Sequence, residues 1–243
     1  MKEFTVEAGR ADSITPEKLA VLHQHGVTRI SVNPQTMKDE TLKFIGRRHT
    51  VAQVKEAFAW ARGAGFDNIN MDIILGLPGE MEEDVAHTIE EIKKLAPDSL
   101  TVHSLAIKRA SRLSQWIEEN GMETLHNTDA TMEIAAAGAA ALGMKPYYLY
   151  RQKNIAGNFE NVGYAKVDKA GIYNILIMEE KQSIIAAGAG ASTKIVLKNP
   201  IPMPGSKKKK MTRLIRQENV KAVDAYIDRI DEMIERKGEW LWH

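Results

Sequence analysis

Two stretches hold side chains whose types and spacing could do chemistry. Asn70-Met71-Asp72-Ile73-Ile74-Leu75-Gly76-Leu77-Pro78-Gly79 carries an aspartate inside an apolar run that ends on a glycine–proline turn. Burying such a carboxylate costs several kcal/mol unless it is hydrogen-bonded, so Asp72 serves either as a cap on a neighbouring backbone amide or as an acceptor for a ligand. Glycines in the turn let the backbone bend sharply and approach a ligand closely. The second stretch, Ile45-Gly46-Arg47-Arg48-His49-Thr50, places Arg47 just before a helix, where it is either a solvated arginine or a guanidinium that pairs bidentately with a carboxylate. The seven histidines are scattered and suggest no metal site, and no nucleophile elbow is present. Metal ligation and hydrolase chemistry are therefore unsupported.

Four strand-like segments alternate with helical ones and would position these groups: Phe4–Glu7, Thr28–Asn33, Asn68–Leu75 and Ser99–Leu105. A helix between the first two has Thr15 as cap, Pro16 at its first position and Gly26 at its end. Val51–Arg62, capped by Thr50, and Glu80–Leu95 carry apolar residues at helical spacing. Successive βαβ units of this kind build a parallel sheet, so the fold class is α/β. In a parallel barrel the C-terminal strand ends carry the function. They deliver Glu7, Gln35, Asp72, Ser104 and Ala106 to one rim.

Beyond Ala106 the pattern predicts helices at Ser111–Asn120, Thr128–Leu142 and Gln217–Arg236, the last lying outside the barrel. It also predicts strands at Tyr147–Tyr150, Gly171–Met178 and Ser183–Ala187, in a small α+β extension. Ile201–Lys210, with two prolines, a glycine and four consecutive lysines, reads as a solvated surface loop.

The net charge of +1, with acids and bases interleaved, argues against a nucleic-acid partner. No apolar run approaches the roughly 20 residues that cross a bilayer, and the start lacks the features of a signal peptide, so the cytoplasm is the default compartment. The chain has no cysteine, which excludes disulfides, thiol catalysis and a thiolate-held metal within it.

Taken together, Ile30-Ser31-Val32-Asn33-Pro34-Gln35, the Asp39–Thr50 segment containing Gly46-Arg47-Arg48-His49-Thr50, and the Asn70–Gly79 segment resemble the radical S-adenosylmethionine family of oxygen-independent coproporphyrinogen III oxidases. The likeness runs from Phe4 to Thr193. Tyr148-Leu149-Tyr150-Arg151-Gln152-Lys153-Asn154 resembles the coproporphyrinogen dehydrogenase branch of HemZ type, and Ala187–Ser192 the family's glycine-rich strand end. The resemblance implies a partial (β/α) barrel missing its first strands, residues 1–108, followed by an extension, 109–243. It implies S-adenosylmethionine and a [4Fe-4S] cluster as cofactors, and a tetrapyrrole substrate whose propionates undergo oxidative decarboxylation, giving protoporphyrinogen IX.

The resemblance also implies residue roles. Glu7 and Gln35 would bind the ribose hydroxyls of S-adenosylmethionine, Arg47 the methionine carboxylate and Asp72 the nucleoside. The backbone at Ala106 would meet the adenine edge, and Ser192 would add a backbone contact. Arg151 and Lys153 would pair with substrate propionates, a solvated basic loop being the alternative. The family's cluster-binding motif, C-x-x-x-C-x-x-C, would lie upstream of Phe4, so the chain alone is expected to be inactive and to need a missing N-terminal segment or a partner chain. Haem-binding chaperones of the same fold, which carry a tetrapyrrole as cargo, are the competing expectation, and an inactive remnant the third.

Overall fold

A computed structural model of the chain describes residues 2–106, 116, 119, 121, 125–151, 157, 159–204 and 210–241. They divide into two compact units, Met1–Ile172 and Tyr173–His243.

The first unit is built on six strands: β1 (Thr5–Gly9), β2 (Arg29–Val32), β3 (Ile69–Leu75), β4 (Ser99–Ser104), β5 (Lys145–Tyr150) and β6 (Asn161–Ala165). Their order in the sheet is β1-β2-β3-β4-β6-β5. Strands β1 to β4 pair in parallel, while β6 pairs antiparallel with both β4 and β5. The sheet is open, with β1 and β5 at its edges.

Each parallel pair needs a crossover, and helices supply it: α1 (Pro16–Gln24), α2 (Asp39–Phe44) with α3 (Val51–Gly63), and α4 (Glu82–Leu95). Thr15 and Thr50 cap α1 and α3 as the sequence leads one to expect, accepting from Lys18 N and Gln53 N; a capping box completes the second. Helix α5 (Asp129–Ala141) is alanine-rich and packs close to α4 at Gly138, where a Cβ would fall 2.2 Å from Ile89 Cγ2.

Strand alternation sorts the side chains into two populations. Ile30, Met71, Ile73, Leu100 and Val102 are at most 1% exposed and join Phe58 and Ile92 of the helices in one core. Burying each contributes about 1.5–3 kcal/mol. The opposite face is polar, with Arg29, Ser31, Asn70, Asp72, Ser99 and Thr101 side by side across β2, β3 and β4.

One ion-pair cluster ties α3 to α4: Lys55 and Lys94 both contact Glu91, which is buried. The hydrogen bond from Lys55, followed by that from Lys94, holds the Glu91 carboxyl at about 2, against its usual 4.5. Because the folded value is depressed, the stabilisation is present above pH 4.5 and lost as pH falls towards 2. Both lysines are substantially exposed, so solvent screening limits the effect. Glu91→Gln is expected to cost about 1 kcal/mol at pH 7 and almost nothing near pH 2. Melting curves at the two pH values check this; an equal deficit at both contradicts it.

The second unit is a β-hairpin, β7 (Ser192–Pro202) with β8 (Met211–Glu218), together with helices α7 (Val223–Asp228) and α8 (Ile230–Leu241). Helix α6 (Ile172–Glu179) begins at the boundary between the units.

The expected strand Gly171–Met178 is thus mostly helix, because a short run of mainly apolar residues fits either element equally well by pattern. Ser183–Ala187 forms only an isolated bridge, Ile184 with Lys194. The expected helix Gln217–Arg236 is replaced by the end of β8 and two shorter helices. The Ile201–Lys210 loop begins two residues late: Ile201 and Pro202 belong to β7 after a register shift that accommodates Pro200, tolerable in a two-stranded ribbon. The expected helix Ser111–Asn120 lies mostly outside the described residues.

Candidate functional site

The polar face of the sheet and the loops beyond its C-terminal strand ends form the site. Glu7 sits on β1, exposed, and accepts a 2.6 Å hydrogen bond from Ser31 Oγ on β2. Gln35 prolongs the parallel pairing beyond β2: its N–H donates to Asp72 O at 3.0 Å and its carbonyl accepts from Ile74 N at 2.9 Å. Its φ of 70° is unusual for a residue with a side chain, and these two backbone bonds hold it there. Its side chain makes no hydrogen bond among the described residues.

Arg47 is positioned by the way α2 ends. Gly46 adopts φ 74°, its N–H donates to Lys43 O at 3.1 Å, and Arg47 N donates to Leu42 O at 2.8 Å. This is a Schellman closure, which needs a residue without Cβ at the left-handed position. Arg47 then lines a recess of about 470 Å³ with Phe44, Ile45, Ile74, Leu77, Leu105 and Trp116. Among the described residues no carboxylate pairs with its guanidinium, in a wall otherwise mostly apolar. Such an arginine is set up to receive an external carboxylate.

Asp72 lies on the polar face two residues before Ile74, so strand alternation aims both towards the same side. Its Oδ1 accepts from Asn70 Nδ2 at 2.7 Å, and its Oδ2 lies 3.7 Å from His103 Nε2. His103 Nδ1 is in turn 3.3 Å from Tyr150 Oη. The Asp72 side chain thus has part of its demand met by a side-chain amide, not by the backbone amide that the capping alternative requires, and retains acceptor capacity towards solvent. Ala106 follows Leu105, whose N–H donates to Leu75 O, and is half-buried at the end of β4.

Several contributors had no role assigned from the sequence. Tyr148 and Tyr150 of β5 stack with ring centroids 6.2 Å apart and planes 9° from parallel. Tyr148 crosses to β4, its hydroxyl donating to Thr101 Oγ1 at 3.5 Å, and burial pushes the phenol above its usual range. Glu80, buried behind the glycine–proline turn, accepts from Thr36 Oγ1 at 2.6 Å, and Thr88 Oγ1 accepts from Met37 N at 3.1 Å. Burial raises the Glu80 carboxyl, opposed by the Thr36 and Thr41 hydroxyls. This cluster ties the loop bearing Gln35 to the turn after β3. The available signal was the Glu80 and Thr36 positions directly beside the two strand-end motifs.

The structure thus sets Glu7 and Asp72 on the polar face of one sheet, Gln35 and Ala106 just beyond the ends of β2 and β4, and Arg47 after α2 at the recess that Ile74 lines. Ser192 belongs to the second unit, where it opens β7 opposite Glu218. Arg151 follows β5, exposed and paired with Glu160 at 3.1 Å, and Lys153 lies outside the described residues. Among the described residues no group of three or more His, Asp or Glu side chains is arranged to hold a metal ion, and no helix is long and apolar enough to cross a membrane.

Residues 3–92 match the Radical SAM superfamily. The chain is 50% identical over 196 residues to the oxygen-independent coproporphyrinogen-III oxidase-like protein HemZ of Bacillus subtilis, covering 81% of this chain and 39% of HemZ. It is 38% identical over 108 residues to the heme chaperone HemW of the same organism, covering 44% of this chain and 28% of HemW. Among solved structures, Escherichia coli HemN, described as a coproporphyrinogen III oxidase and radical SAM enzyme, superposes with a TM-score of 0.64 at 18% identity, over 95% of this chain and 49% of that one. That last likeness is one of fold. The chain spans less than half the length of each of these relatives. Family model, sequence identity and fold agree: the chain belongs to the radical SAM superfamily, with the oxygen-independent coproporphyrinogen-III oxidase-like proteins.

Proposed function

We propose that this chain supplies the S-adenosylmethionine-binding rim of an enzyme that converts coproporphyrinogen III to protoporphyrinogen IX by oxidative decarboxylation of propionates. The observation that carries the reading is Arg47, a guanidinium without a carboxylate partner among the described residues, at a largely apolar recess lined by Ile74 on the strand that bears Asp72. The donor set fits the cofactor: a cation for its amino-acid carboxylate, and the acceptors Asp72 and Glu7 for its hydroxyls. Gln35 completes the hydroxyl contacts, and the small side chain of Ala106 leaves room for a base against the backbone. When bound, S-adenosylmethionine supplies the hydrogen-abstracting chemistry of the family. The residues of this chain bind it, orient it and exclude water from one side.

The donor set does not fit the cluster. With no cysteine in the chain, its thiolates come from elsewhere, and the isolated chain is expected not to turn over. On the substrate side, Tyr148, Tyr150 and His103 form a wall beside Asp72, and Arg151 and Lys153 are the cations this reading assigns to the propionates.

The identity to HemW favours a second reading, in which the same surface carries haem. Fluorescence titration of the chain with coproporphyrin III, beside an absorbance titration with haem, separates the two. Saturable coproporphyrin binding that weakens in Arg151→Ala supports the oxidase reading. Haem binding with a shifted Soret band and no response to coproporphyrin overturns it.

A further inference from the structure

A buried arginine on the polar face has no role in the site as described so far. Arg29 is 3% exposed, pairs with no carboxylate among the described residues, and leaves its Nε without a hydrogen-bond partner. Holding a guanidinium there is costly, so what it does contact is informative. Its Nη2 donates to Ser99 Oγ at 3.0 Å, and Ser99 Oγ donates to Asn70 Oδ1 at 2.9 Å. A second line meets the first: the Tyr148 hydroxyl donates to Thr101 Oγ1 at 3.5 Å, and Thr101 Oγ1 donates to Asn70 Oδ1 at 3.4 Å. These last two bonds are long and correspondingly weaker.

With two hydroxyls donating to its oxygen, the Asn70 amide has one orientation, and its NH2 group donates to Asp72 Oδ1 at 2.7 Å. Each hydrogen bond along both lines thus runs in the direction of Asp72. The carboxylate is left with a spare site on Oδ1 and an Oδ2 that His103 faces only at 3.7 Å, beyond hydrogen-bond reach. That remainder suits two adjacent hydroxyl donors.

We propose that Asn70, fixed by the converging Arg29–Ser99 and Tyr148–Thr101 lines, is a positioning residue that aims Asp72 at a vicinal diol and makes the site selective for ligands with free ribose hydroxyls. This rests on the reading of the rim as a nucleoside site, and it adds a second tier that links the β5 strand to the cofactor end of β3.

A merely structural Asn70 would act only as a cross-link between β3 and β4, so affinity alone does not decide. The test is calorimetric titration of the full chain, wild type and Asn70→Leu, with S-adenosylhomocysteine and with its 2′,3′-dideoxy analogue. Asn70→Leu should weaken S-adenosylhomocysteine about tenfold, as expected for misaiming a charge-assisted acceptor, while the dideoxy analogue changes by less than about twofold. Should Asn70→Leu fail to fold, Ser99→Ala removes the preceding link at smaller cost and should show the same selectivity with a loss of about threefold. Equal weakening of both ligands overturns the positioning role while leaving the rim reading intact. Failure of the wild-type chain to bind S-adenosylhomocysteine overturns the rim reading, and this inference with it.

Discussion

Arg47→Ala is expected to weaken S-adenosylmethionine binding by about 1.5–3 kcal/mol, or roughly 10- to 150-fold, with the fold unchanged. The magnitude follows from surroundings rather than from charge alone. An exposed arginine pair contributes little, but Arg47 stands at a recess walled mainly by Ile45, Ile74, Leu77 and Leu105, where a bound carboxylate exchanges water for a single guanidinium. Stability should be spared because no described carboxylate loses a partner and because the Schellman closure uses the Arg47 backbone, which alanine keeps. Calorimetry with the variant checks the affinity and a melting curve the stability. Unchanged affinity contradicts the assignment of the carboxylate site.

Gly163→Ala is expected to cost about 1–3 kcal/mol of stability, the range for overpacking a filled site. Gly163 pairs in register with Tyr148 on one side and Thr101 on the other, and the Tyr148 ring lies over it. A Cβ there would fall 1.9 Å from Tyr148 Cε1 and 2.4 Å from Cδ1, so the ring must leave, taking its hydroxyl from Thr101 and its stacking from Tyr150. At roughly 2–4 °C per kcal/mol for a chain of this size, the melting shift is readily measured. Since the damage runs through the ring, Tyr148→Ala in the same chain should absorb most of it, giving strongly non-additive losses. Additive losses would mean that the glycine is required for the backbone instead.

The same pair of strands shows where sequence reasoning reached its limit. β1 to β4 were legible because each crossover helix announces itself: Thr15 with Pro16, and Thr50 with Gln53, are local capping signals that do not depend on distant partners. Asp72 stood out because a carboxylate in an apolar strand violates local expectation, whereas Arg47 by itself read equally as a solvated arginine and gained its role from the resemblance. β6, Asn161–Ala165, carries no such signal; its glycine, a strand breaker by propensity, is there to make room for Tyr148, a fact that lies fifteen residues and one strand away. Ile172–Glu179 failed for a different reason, since a short run dominated by apolar side chains, with Asn174 and Glu179 too few to mark a polar face, does not reveal its period.

The polar face itself could have been read earlier. Arg29 and Ser31, Asn70 and Asp72, Ser99 and Thr101 each occupy alternate positions of their strands, a period-two polar stripe in segments that otherwise look fully apolar. What no sequence pattern contained was the register that lays these stripes side by side, pairing Ser31 with Asn70 and Asn70 with Ser99. Register converts six scattered polar residues into a network ending on one carboxylate.

The most direct measurement is a crystal structure of this chain with S-adenosylmethionine bound. The account predicts the amino-acid carboxylate within hydrogen-bond distance of the Arg47 guanidinium and the ribose hydroxyls on Asp72. A ligand bound away from the C-terminal ends of β1 to β4, or one whose carboxylate ignores Arg47, would contradict it.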